Sequence, residues 1–116
     1  MKFNMPSSPR ERLCHIRDEC DYLIQRSSGM TWSEFLASND LRRAFVRSLE
    51  SIGDASKQVP QTYRDTHPEL PWRLMAGMRD RLIHDYGGVD YEIVWHTVTV
   101  DILAISQTLQ VLLATD

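Results

Sequence analysis

The run Arg79-Asp80-Arg81-Leu82-Ile83-His84-Asp85-Tyr86 gathers side chains that can act on a phosphodiester. Arginine is a permanent cation whose planar fork of donors matches phosphate oxygens. Histidine, five residues on at His84, is the side chain best placed to move protons near neutral pH. Tyr86, two residues further, supplies a hydroxyl that can be masked covalently. Together these residues point to phosphodiester chemistry with a built-in control point.

The same residues have plainer roles. A histidine near a helix C-terminus complements the dipole, and a tyrosine can simply pack a turn. If the helical pattern continues through the motif, about 100° per residue sets Arg79 and His84 about 140° apart, on different faces. A site using both within one protomer is then awkward. A two-fold dimer brings a second copy of each to a common groove, so the spacing favours a composite site in a symmetric homodimer. Asp80 and Asp85 flank the motif and can orient His84, pair with Arg81 or stay solvated.

The elements that must position these residues read as helices. Ser8-Pro9-Arg10-Glu11 is a capping box with proline at the first helical position. It opens a helix with Leu13, Ile16, Cys20, Leu23 and Ile24 at helical spacing, ending near Ser27-Ser28-Gly29. Thr31-Trp32-Ser33-Glu34 is a second capping box and starts a short helix. Asn39 or Asp40 caps a third, which carries Leu41, Ala44, Phe45, Leu49, Ile52 and Ala55 and stops before Val59-Pro60. Residues 61 to 71 read as the longest irregular connection. Pro71 then opens a fourth helix through Met75, Met78 and Leu82 to His84, terminated by Tyr86-Gly87-Gly88. Asp90 caps the last helix, with Glu92 in its first turn, Val89 placed to staple onto Val94, and Val98, Ile102, Ile105, Leu109 and Leu112 following. The expected architecture is all-α: an up-and-down bundle of four main helices plus a short one, in a single domain over residues 1–116.

Bulk properties narrow the function. The chain has 116 residues, 42% hydrophobic and 25% charged, with a net charge of −3. That balance argues against a domain that coats nucleic acid non-specifically, but it permits a local cationic cleft. Lysine occurs only at Lys2 and Lys57, so the basic side chains are nearly all the arginines suited to bidentate phosphate contacts. Cys14 and Cys20 lie six apart on different helical faces and are expected to stay reduced. His15, His67 and His96 lack ligand spacing with cysteine or acidic residues, so no metal and no cofactor is expected. Gly87-Gly88 reads as a helix stop, and no glycine-rich phosphate loop is present. No apolar run approaches the roughly 18 residues that span a bilayer, and no signal peptide is evident, so the expectation is a cytoplasmic protein with no membrane association.

The signature Arg, four residues, His, one residue, Tyr, met by Arg79, His84 and Tyr86, resembles that of the HepT-like toxins, a branch of the HEPN superfamily. Three further segments resemble the family. Val46-Arg47-Ser48-Leu49-Glu50-Ser51-Ile52-Gly53-Asp54-Ala55 is similar to its second-helix segment, and His67-Pro68-Glu69-Leu70-Pro71-Trp72 to the loop before the motif helix. Gly88-Val89-Asp90-Tyr91-Glu92-Ile93-Val94-Trp95 is similar to the start of its last helix. The likeness spans most of residues 10 to 110. Gly87 departs from it, because the family often has a bulkier or aromatic residue after the tyrosine.

The resemblance implies the toxin of a HEPN/MNT type VII toxin–antitoxin pair, a metal-independent RNA endonuclease that cuts tRNA or mRNA at a dimer cleft. On that reading His84 is the general base or acid, and Arg79 holds the scissile phosphate. It also implies a partner, a minimal nucleotidyltransferase of the MntA type, which transfers AMP onto Tyr86 and blocks the cleft by charge and bulk. Arg47 and Glu50 fall in a family-like segment and read either as a buried ion pair or as supporting residues near the cleft. Dimers could stack into larger assemblies. A different class of function remains open: a non-catalytic helical subunit that binds nucleotide or positions substrate for a nucleotidyltransferase, with Arg79 and His84 contacting phosphate without cleaving it. A purely structural interaction domain is the third reading.

Overall fold

A computed structural model describes residues 8–84 and 88–115, with the side chain of His84 excluded. Helix α1 (Pro9–Ser27) starts where Ser8 accepts from the Glu11 amide, and α2 (Trp32–Ala37) starts at a reciprocal capping box. In that box the Thr31 amide donates to Glu34 Oε1 at 2.9 Å, and the Glu34 amide donates to Thr31 Oγ1 at 3.1 Å. The Thr31 amide, and after it the Thr31 hydroxyl, which donates to Glu34 Oε1 at 3.0 Å, hold the Glu34 carboxyl below its ordinary range. Helix α3 (Asn39–Lys57) is capped by Ser38, whose hydroxyl accepts from Leu41. The expected cap at Asn39 or Asp40 is thus displaced one residue upstream, because Ser38 is the last residue with extended backbone.

Helices α1 and α3 pack together, and α3 also packs on α5 (Trp72–Ala76) and α6 (Met78–Leu82), which carry the motif. The long C-terminal unit consists of α7 (Tyr91–His96), a π-helical turn (Thr97–Asp101) and α8 (Ile102–Thr115), and α8 packs against α1. Leu13, Ile16, Leu23, Leu49, Ile52 and Ile102 are wholly buried where these helices meet. Each such side chain contributes on the order of 1.5–3 kcal/mol relative to exposure. Cys20 lies in the same core, unpaired, and burial pushes its thiol up to about 12, with Asp21 and Glu19 adding to the effect. Aromatic rings lock α2 to α3 and α7: Phe35 stacks on Phe45 at 5.1 Å and on Trp95 at 5.2 Å.

The all-α bundle is the one expected, but three readings change. Residues 61–71 are not wholly irregular, since α4 (Gln61–Thr66) forms there behind Pro60. It buries no residue, so it leaves no apolar period to read. The fourth helix is not continuous to His84. It breaks at Gly77 and ends at Leu82, and strand β1 (Ile83–His84) pairs antiparallel with β2 (Gly88–Val89). Of the residues expected to end it, Gly88 has positive φ (+73°), while Tyr86 and Gly87 lie outside the described residues. Finally, Tyr91–Thr115 is long and apolar enough to cross a membrane by length and hydropathy, contrary to expectation. One face of it is core, with Val94, Val98, Ile102, Ile105 and Leu109 buried within the bundle, while Val100, Leu103 and Val111 are exposed.

Candidate functional site

The motif helix is fixed at its start by side-chain contacts to backbone. Trp72 donates its indole N–H to the His67 carbonyl at 2.8 Å, and Arg64 donates to the carbonyls of Ser56 and Val59 at 2.8 and 3.0 Å. Arg64 thereby caps carbonyls at the C-terminal end of α3, where that of Ser56 also accepts from the Val59 amide at 3.2 Å. Further along, Met75, Met78 and Leu82 point into the core at helical spacing, which turns Arg79 to the surface beside α3. Gly53 sets the distance of approach. A Cβ there would lie 3.5 Å from the Met75 carbonyl oxygen and 3.7 Å from the Arg79 amide nitrogen, so a longer side chain would push the motif helix away.

Arg79 is 55% exposed and forms an ion pair through Nε with Glu50 Oε2 at 3.5 Å. The contact engages the inner edge of the guanidinium, so the outer Nη edge can still meet a phosphate in bidentate fashion. Glu50 therefore stands beside Arg79 at the junction of α3 and α6. The alternative of a buried Arg47–Glu50 pair is not what forms. Arg47 is exposed and lines a separate groove between α1 and α3 with His15, Glu19 and Tyr22. Asp80 is also exposed, and the partner of Arg81 is Asp101 at 3.8 Å, at the end of the π-helical turn.

His84 is not on the helix. It follows α6 in β1, opposite Gly88, and the Asp90 amide donates to the Leu82 carbonyl at 2.9 Å just below the ladder. The 140° separation calculated for an unbroken helix therefore does not describe Arg79 and His84, because the backbone leaves helical geometry between them. Asp85 and Tyr86 lie outside the described residues. Among the described residues no three His, Cys, Asp or Glu side chains converge as metal ligands would. Sequence reasoning missed the Gly53 contact, the Arg81–Asp101 pair and the Arg79–Glu50 pair. The one available signal was Gly53 itself, an isolated glycine inside a helical pattern, which marks close approach when it is not a cap.

The ribonuclease HepT-like family profile matches residues 16–112. A protein of Caldanaerobacter subterraneus subsp. tengcongensis, provisionally named an RNase, is 48% identical over 95 residues, covering 82% of this chain and 85% of its own length. A provisionally named ribonuclease HepT of Thermococcus cleftensis is 40% identical over 98 residues, covering 84% and 89%. A Methanocaldococcus jannaschii protein, also provisionally named an RNase, is 40% identical over 89 residues, covering 77% and 74%. No solved structure matches significantly.

Proposed function

This chain belongs to the ribonuclease HepT-like family and is a ribonuclease of the HEPN type, and from that premise we propose a metal-independent endonuclease acting at a cleft between two copies of the chain. The observation that carries the reading is the placement of Arg79 on the surface of α6, steadied by Glu50, with His84 following directly off the end of the same helix. His84 takes the proton from a ribose 2′-hydroxyl, whose oxygen attacks the adjacent phosphorus. Arg79 neutralises the charge that builds on the phosphoryl oxygens, and the 5′-oxygen leaves with a proton, which the second copy of His84 can supply. The products are a 2′,3′-cyclic phosphate and a 5′-hydroxyl.

The protein acts in the cytoplasm as the toxin of a two-component pair, on tRNA or mRNA. Its partner is a minimal nucleotidyltransferase of the MntA type. The Tyr86 hydroxyl attacks the α-phosphorus of ATP held by that partner, pyrophosphate leaves, and the attached AMP places bulk and negative charge beside the phosphate site.

Product analysis tests the chemistry. An RNA cut by the wild type should carry a 2′,3′-cyclic phosphate, and a single 2′-deoxy substitution at the cut site should abolish cutting there. Cutting that persists at the deoxy position would refute the proposed attack. Intact mass of protein co-expressed with its partner should show AMP-sized additions that disappear in Tyr86→Phe.

A further inference from the structure

Beside the first half of the motif helix lies a groove of about 560 Å³, lined by Gln61, Arg64 and Asp65 on one side and Trp72, Arg73 and Ala76 on the other. Arg64 is held by its two carbonyl contacts, and its guanidinium lies 5.8 Å from the centre of the Trp72 ring. Trp72 is itself fixed by its indole hydrogen bond. The guanidinium is held over the half-buried ring, and its own plane, which lines the groove, is the kind of surface on which an unpaired base stacks.

Charge orients what could lie in the groove. Gln61 Nε2 donates to Asp65 Oδ1 at 2.8 Å, leaving the second carboxylate oxygen and the amide oxygen as acceptors. That end repels phosphate and suits the N–H edge of a base. Arg73, exposed on α5, is the groove's cation for a phosphate. Arg73 precedes Arg79 by six positions, on the other side of the break at Gly77 that divides α5 from α6. Six positions of chain span at most about 22 Å, so one strand that meets Arg79 passes within a few nucleotides of Arg73.

We infer that this groove is a nucleotide subsite for the RNA strand whose scissile phosphate sits on Arg79. It takes a base against Arg64 and Trp72 and the attached phosphate on Arg73. The inference rests on the ribonuclease reading and adds to it the residues that choose where the strand lies.

The test uses the full-length protein and a labelled single-stranded RNA octamer, with affinity read by fluorescence anisotropy and cleavage read separately. Arg73→Glu should weaken binding about tenfold or more and raise KM by a similar factor, with kcat unchanged. Arg26→Glu, the same charge change on α1, should alter both by less than about twofold. Asp65→Asn should change the preferred base beside the cut. If Arg73→Glu binds as the wild type does, or no more weakly than Arg26→Glu, the subsite is wrong while cleavage by the wild type leaves the ribonuclease reading intact. If the wild type binds the octamer but does not cut RNA, the cleavage reading fails, and selective loss of binding in Arg73→Glu still upholds the groove as a nucleotide site.

Discussion

Arg79 and His84 are held by different means. Arg79 stands on α6, which is seated by Met75, Met78 and Leu82 in the core and by close backbone approach at Gly53. His84 stands two residues past Leu82 on a two-residue ladder, completed by Gly88 at φ +73°. The first position is set by packing volume, which resists change because protein interiors are close-packed. The second is set by a short hydrogen-bonded pairing and one backbone conformation. The residue proposed to hold phosphate is thus pre-organised by the fold, and the residue proposed to move protons stands on a ladder that can be adjusted almost independently of it.

Substitutions should separate the two halves. The largest effect is expected from Gly53→Leu, which forces carbons against the Met75 and Ala76 carbonyls and the Arg79 amide. Overpacking of this kind costs about 1–3 kcal/mol or more, so thermal melting should fall by several degrees and RNA cleavage should fall with it. Gly53→Ala sharpens the point. Its Cβ would make ordinary contacts of 3.5–3.7 Å, and alanine is favoured over glycine in a helix by roughly 0.5–1 kcal/mol, so melting should hold or rise.

Gly88→Ala comes next. A side chain at φ +73° costs about 1–2 kcal/mol, borne by the ladder rather than the core. Cleavage should therefore drop more steeply than melting does, and equal losses would mean that the ladder and bundle unfold together. The smallest effect is expected from Glu50→Gln. A pair this exposed contributes less than about 1 kcal/mol, so melting should stay put while cleavage falls a few-fold. Added salt should narrow that difference from the wild type.

The bundle itself was legible because its signals are local. Ser8 and Thr31 cap the helices they were expected to cap, and Asp90 accepts from the amides of Glu92 and Ile93 as a helix start requires. Helix α4 was hidden because it buries no residue and sets only Tyr63 against the core, and the π-helical turn because it interrupts no hydrophobic period: Val94, Val98 and Ile102 stay buried through it. The end of α6 at Leu82 was hidden because Ile83 and His84 continue a helical pattern, whereas their pairing with Gly88 and Val89 depends on residues further along. The identities of Arg79 and Glu50 could be singled out from sequence, but not their contact. That depends on the register of α6 against α3, which the approach at Gly53 helps to set and which no spacing along the chain encodes.

The central claim, that Arg79 and His84 cut RNA together without a metal, is tested most directly by incubating purified protein, its Tyr86 unmodified by intact mass, with total RNA in EDTA. His84→Ala and Arg79→Ala belong alongside it. The account predicts cutting by the wild type, loss of about 10²–10⁴-fold in His84→Ala and about 10²–10³-fold in Arg79→Ala, and melting temperatures that match the wild type. Cutting by His84→Ala at the wild-type rate, or wild-type cutting that EDTA abolishes, would contradict it.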